Sequence, residues 1–568
     1  MTIINTVSKP RGGMRADPLR IVLTVILTAF LCLFLLYPLV MLLTDAIWEP
    51  GRGLTLNTFR RVLDMQPFRD AFSHTVVLGL TVGAGSTVLG FLFAYLETYI
   101  VPRSRFTRGM FQVVSLLPIV SPPFVLSLSM ILLFGRGGMV TRGIFGIYDS
   151  NIYGFHGIAT VQIMTFFPVC YLMFAGQLRK IDPAMEEAAR NLGAGRAKVF
   201  MTVTLPLILP AAGNAMLVTF IESAADFANP MVLGGSYETM ATYIYMLLTG
   251  GTNDKPAASA ISIILLMMTV TLFLLQRIYL ERKARQTVSG KPARERIPAS
   301  GAGARFPITA VCIAVGAFVM LMYLAVPFGA LFKLWGRDYS LVGDHFAYIF
   351  RYDGLKAYED SLILSLIAAP CTAVLSMILS ALVSGRRGGM TGFLEFVPLL
   401  AMAVPGTILG VSYIRGFSAG VFNTGFMQGL YGSWMILVLV LILRSLPLGL
   451  RTGTLAIRQI DRTIPECARN MGAGSARVFR TITLPLIKDA FVTSLMTAFV
   501  RSITAVSAVI LLVTPEFLLI TVRINEYAEK GSYGEACAYA TILILITFGI
   551  ALLMKTLLRG NRTVRNAG

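Results

Sequence analysis

Three ionisable side chains stand inside long apolar runs, where a charge is costly to keep and usually marks a function or a partner. Glu222 and Asp226 lie four residues apart in LVTFIESAADFANPMVLGG, on one face if that run is helical. Arg501 interrupts LMTAFVRSITAVSAVILLVTP. Carboxylates in such a place suit a cation or proton path and a guanidinium suits an anion, so charge leaves the bound species open. Asn229, Ser223, Ser502, Thr504 and Ser507 add polar surface to the same two runs. The alternative is a static ion pair, or groups that reach to water. Glu97, Glu395, Arg444 and Glu535 fall near the ends of their apolar runs and read as interfacial. No array of nucleophile and base is visible, so catalytic residues are not expected. Six cysteines stand singly without a C-x-x-C and three histidines lie far apart, which signals neither disulfide nor metal site. No G-x-x-x-x-G-K-[ST] cradle for ATP phosphates occurs.

These residues belong to a duplicated chain. Asp182 to Ala211 (DPAMEEAARNLGAGRAKVFMTVTLPLILPA) returns at Asp461 to Ala490 (DRTIPECARNMGAGSARVFRTITLPLIKDA), with 18 of 30 residues identical at an offset of 279. That offset carries Glu222 onto Arg501. Opposite charges at equivalent places could meet near a pseudo-two-fold axis as a gate or latch.

Hydrophobic residues make up 55% of the 568 and charged residues 14%, where a soluble domain carries about 25% charged. About 20 apolar residues cross a bilayer. On that rule twelve spans are predicted, near 19–43, 72–99, 110–134, 156–177, 211–234 and 257–280 in the first half, and near 306–332, 361–384, 392–414, 431–450, 489–513 and 535–558 in the second. The first run is too long for a cleaved signal peptide and is read as a retained span. Several spans are broken by Pro or Gly, as in SLLPIVSPPFVL and PLLAMAVPGTILG, and Gly79 and Gly83 form a G-x-x-x-G. With the N-terminus inside, the loops on that side hold 32 Lys and Arg, against 14 on the other side beside 15 Asp and Glu. The positive-inside rule then places both termini and both repeats in the cytoplasm. The formal charge of +20 is thereby a topology signal, and nucleic acid is not an expected partner.

Each repeat reads as a helix–turn–helix elbow. Asp182 and Asp461 suit an N-cap, Pro183 a first helical position, and Glu186, Glu187 and Glu466 the early turns favoured by the helix dipole. Met185, Ala188/Ala189 and Leu192 form one apolar stripe, as do Ile464, Cys467/Ala468 and Met471. Gly193 and Gly472 then stop the helix, and Leu205-Pro206 and Leu484-Pro485 are expected to bend the chain into the next span. A stripe of small residues beside acids fits a groove on a soluble partner better than lipid headgroups. Two copies imply two equivalent partner sites.

Glu187-Ala188-Ala189, Gly193 and Val203-x-Leu205-Pro206 at their spacings resemble the EAA loop of permease subunits of ATP-binding-cassette importers. Glu466-Cys467-Ala468, Gly472 and Ile482-x-Leu484-Pro485 resemble it again, departing only in Cys467 where Ala is usual. The resemblance covers both halves and is similar to fused permeases of the ferric iron type; segments like 222–230 also occur in permeases for aminoethylphosphonate and related solutes. It implies that these loops dock into two copies of a separate ATPase. ATP would then sit on those partners and no cofactor on this chain, and a periplasmic solute-binding protein would dock outside. Glu222, Asp226, Asn229, Arg501, Thr504 and Ser507 would line or gate the path. The expected fold is an all-α polytopic membrane protein of about 12 transmembrane helices in two homologous six-helix halves, in a bacterial inner membrane. The divisions are a tail (1–18), a first half (19–280, loop 182–211), a basic linker (281–305), a second half (306–558, loop 461–490) and a tail (559–568). A secondary transporter with Glu222 and Asp226 as ion carriers is the rival reading, and it leaves the paired elbows unexplained. Ferric iron is the expected solute, with phosphonates, polyamines, thiamine and inorganic anions as alternatives.

Overall fold

In the computed structural model the apolar runs are helices, since a chain in lipid must satisfy its backbone internally. The structure describes residues 18–49, 51, 53–100, 124–251, 253–280, 302–351, 354–384, 388–418, 428–461 and 463–565, with scattered positions between 109 and 122. Most of the predicted linker and N-terminal tail lie outside them, as do residues 566–568, while the last helix runs through the predicted C-terminal tail to Arg565. Among the described residues ten helices are long and apolar enough to cross a membrane, or eleven when a bent pair is taken as one span. Three of the twelve expected spans are interrupted in the structure. The run predicted over 392–414 is two helices, Gly389–Leu400 and Gly406–Ser418, parted at Ala401–Pro405, because Pro405 cannot donate to the preceding turn. The run predicted over 211–234 ends as a long helix at Ala225 and resumes as Ala228–Leu233. The run over 489–513 ends at Ile503 and is irregular to Leu519.

Small residues let the helices meet. A Cβ at Gly79 would press on the Phe220 ring, and one at Gly83 would lie 3.1 Å from the Met216 carbonyl. The predicted G-x-x-x-G is therefore the seam between helices Gln66–Tyr95 and Leu205–Ala225. In the second half Gly449 and Gly453 of helix Trp434–Arg458 lie against Ser376 and Ser380 of helix Gly354–Ser384. Ser376 Oγ and Ser494 Oγ are 3.1 Å apart at that crossing.

The first helix of each half packs on the other half as well as on its own. Tyr37 Oη donates to the Gly416 carbonyl at 3.0 Å, and Tyr413 Oη donates to that of Phe34 at 2.6 Å. Arg415 is paired with Asp45, which also accepts from Ser259 Oγ at 2.6 Å. Reciprocally, Ser129 Oγ of the first half donates to the Met322 carbonyl at 2.5 Å. Trp335 Nε1 donates to the Leu132 carbonyl, and the Ser121 and Tyr323 hydroxyls are bonded. Each of the two large apolar cores consequently contains residues of both halves. Each arm ends in a short antiparallel hairpin, Trp48–Glu49 with Gly53–Leu54 and Phe332–Leu334 with Asp338–Leu341.

Candidate functional site

Two places hold the residues singled out in the sequence: the repeated elbows, and the breaks in the helices. In the first elbow Asp182 caps helix Pro183–Asn191, its carboxylate accepting from the Ala184 N–H at 3.0 Å. Asp461 accepts from the Thr463 N–H at 3.0 Å at the start of Thr463–Asn470, and that bond holds its carboxyl below the usual carboxylate range. Gly193 and Gly472 close the helices at φ +84° and +85°, the left-handed region that a side chain resists. The N–H groups of Ala194 and Ala473 then return to the carbonyls of Ala189 and Ala468, both at 3.0 Å. Glu187 and Ala189 are half-buried, and Ala188, Glu466 and Cys467 are exposed, with Ala468 half-buried. The stripe ends bare: Leu192 and Met471 are each 88% exposed, which leaves a large apolar side chain at the tip of both elbows.

Glu186 is the residue the sequence reading underrated. It is 5% exposed, and its Oε1 accepts from Tyr99 Oη at 2.6 Å and Thr204 Oγ1 at 3.0 Å. It thereby ties the elbow to the end of the second span and to the turn before Leu205. Pro465, which has no carboxylate, stands at the matching place in the second elbow. The chain also leaves the elbows differently. A wide helical turn precedes Leu205 and Leu484 in both copies (Phe200–Thr204, Phe479–Thr483). The first then runs as one helix from Arg196 to Ala225, while the second bends by 77° between Ser475–Leu486 and Lys488–Ile503. The bend expected at both Leu-Pro pairs thus belongs to the second copy, where Ile487 leaves helical geometry.

At the break between Ala225 and Ala228, Asp226 is engaged by its own surroundings. Its oxygens accept from Gln162 Nε2 at 2.8 Å, Asn229 Nδ2 at 2.7 Å and the Ala228 N–H at 3.1 Å. Asn229 in turn accepts from Ser127 Oγ at 2.6 Å, and Ser223 Oγ donates to Gln162. The network fixes the break between Ala225 and Ala228. Glu222 and Arg501, half-buried, are not joined in an ion pair. Both lie within electrostatic reach of Arg444, which the sequence places at a span end. The structure corrects that placement: helix Trp434–Arg458 runs well past the apolar run, so Arg444 stands near its middle. Arg444 Nη1 donates to Ser507 Oγ at 2.9 Å. Thr504 Oγ1 donates to the Val500 carbonyl at 2.7 Å, one turn back. Glu97 and Glu535 lie near helix ends, against Arg179 and His345, whereas Glu395 stands midway along Gly389–Leu400, against Arg277. Among the described residues no group of three His, Cys, Asp or Glu could hold a metal ion.

Residues 86–286 and 304–562 each match a family described as the binding-protein-dependent transport system inner membrane component. The ferric transport system permease protein FbpB of Actinobacillus pleuropneumoniae is 34% identical over 539 residues, covering 93% of this chain and 77% of that protein. A putative ferric transport system permease protein of Haemophilus influenzae is 34% identical over 506 residues, covering 86% of this chain and 78% of that protein. The molybdenum transport system permease protein of Escherichia coli is 27% identical over 221 residues, 37% of this chain and 96% of that protein. Interlocked helical halves, each carrying one capped elbow and one matched stretch, make this chain a two-half member of the binding-protein-dependent inner membrane permease family.

Proposed function

We propose that this chain is the membrane channel of an ATP-driven importer for ferric iron, working in a bacterial inner membrane with both termini in the cytoplasm. The supporting observation is the pair of elbows, each capped by Asp, closed by a left-handed Gly and tipped with a bare Leu192 or Met471. Two copies of a separate ATPase fit two such elbows, and ATP belongs to them. A binding protein outside delivers the solute. The iron assignment rests on the ferric transport names of the two relatives that match along most of the chain. The molybdenum relative matches over little more than a third of it.

Closure of the ATPases would draw the elbows together. Because each half clasps the other through its first helix, that motion would reach the midplane as rocking of interlocked bodies. Solute release then follows from the differential affinity of the two states. The test is radioactive iron uptake into proteoliposomes holding this chain, its ATPase and its binding protein. Uptake that needs enclosed ATP and the binding protein is expected. Uptake driven by an ion gradient without ATP would instead favour the secondary-transporter reading.

A further inference from the structure

The cluster around Arg444 carries two guanidiniums against one carboxylate. Arg444 feels one carboxylate, Glu222, and one further guanidinium, Arg501, which opposes its charge. Asp226 is held instead by Gln162, Asn229 and a backbone N–H. The guanidinium of Arg444 lies against the first residue of helix Gly406–Ser418. A Cβ at Gly406 would collide with Arg444 Nη1 and Ser507 Oγ. The thirteen-residue helix therefore directs its N-terminal N–H groups and partial positive charge to the same spot. In its first turn Thr407 is fully buried, and its hydroxyl has no partner in the structure. A buried polar atom without a partner is rare in native proteins. The Arg444 guanidinium at a helix N-terminus, with Ser507 beside it, Arg501 within electrostatic reach and a spare hydroxyl in the helix's first turn, makes a donor set that fits an oxyanion.

We propose that Arg444, Arg501, Thr407, Ser507 and the start of helix Gly406–Ser418 form an oxyanion site, and that iron crosses as a complex held through its phosphate or carboxylate groups. Glu222 limits how tightly the site holds. The iron part rests on the function proposed above; the oxyanion chemistry does not.

The test is equilibrium binding to the full chain in nanodiscs, with inorganic phosphate, citrate and ferric citrate as separate probes. Arg501→Gln is expected to weaken binding about tenfold, the loss of one charge-assisted contact. Glu222→Gln is expected to strengthen it, a gain that misfolding cannot produce. Binding of ferric citrate above citrate alone identifies the metal complex as the ligand. Equal binding of citrate and phosphate without iron identifies a free oxyanion and overturns the iron part. No binding of any probe overturns the proposal, as does binding unchanged by Arg501→Gln and weakened by Glu222→Gln. ATP-driven iron uptake with no oxyanion binding overturns this inference alone; oxyanion binding without iron uptake overturns only the iron assignment.

Discussion

Glu186 and Glu187 are neighbours that the fold uses in opposite ways. Glu187 belongs to the repeated pattern and stays half-buried on the elbow, whereas Glu186 turns inward to two hydroxyls. Its role was hidden because Tyr99 and Thr204 are distant in sequence and Pro465 breaks the symmetry that exposed the rest. Removing Glu186 leaves two hydroxyls without an acceptor, a cost of about 1–3 kcal/mol for a buried group. Glu186→Ala is therefore expected to speed amide exchange over 183–204 and leave 463–483 unchanged. Equal loosening of both elbows would contradict the anchor. Arg444 was hidden for a different reason: the apolar run thins after Pro447, but the helix continues to Arg458. The repeat could not flag it either, since the offset carries Arg444 back to Thr165. Glu222 and Arg501 were legible from that offset, but their relation through Arg444 was not.

At the scale of elements, caps and turns were the most legible part, because one or two residue types set them locally. Asp182, Gly193 and Gly472 do what their types dictate. The breaks at Pro405 and Asp226 were visible only as punctuation, and whether a proline kinks or ends a span depends on its neighbours. Glycine positions divide the same way. A Cβ at Gly90 would collide with Cys170 and lie 2.7 Å from the Tyr171 N–H, while at Gly176 nothing lies within 4 Å. Gly90→Leu is expected to destabilise by about 1–3 kcal/mol or more through overpacking. Gly176→Ala is expected to be neutral or to gain up to about 1 kcal/mol in helix propensity. Thermal unfolding in detergent checks both, and a tolerated Gly90→Leu would show that the helices meet elsewhere.

For the whole molecule, duplication was plain in the sequence but interlocking was not. Hydropathy places spans along the chain and says nothing about which half a span embraces. The cross-half contacts of Tyr37, Tyr413, Asp45 and Trp335 hold the halves without a covalent tie. A chain cut within 281–301 and expressed as two fragments is expected to copurify as one complex; independent halves would contradict the shared cores. The central claim is that two elbows couple separate ATPases to this channel. Its most direct measurement is ATP-dependent iron uptake into proteoliposomes, with the ATPase and binding protein supplied, comparing the native chain with Leu192→Glu and Met471→Glu. A charge at either bare tip should cut uptake by about tenfold or more, the scale of a lost hot-spot contact, and ATPase copurification should fall with it. Full uptake and undiminished copurification in the double variant would contradict the account.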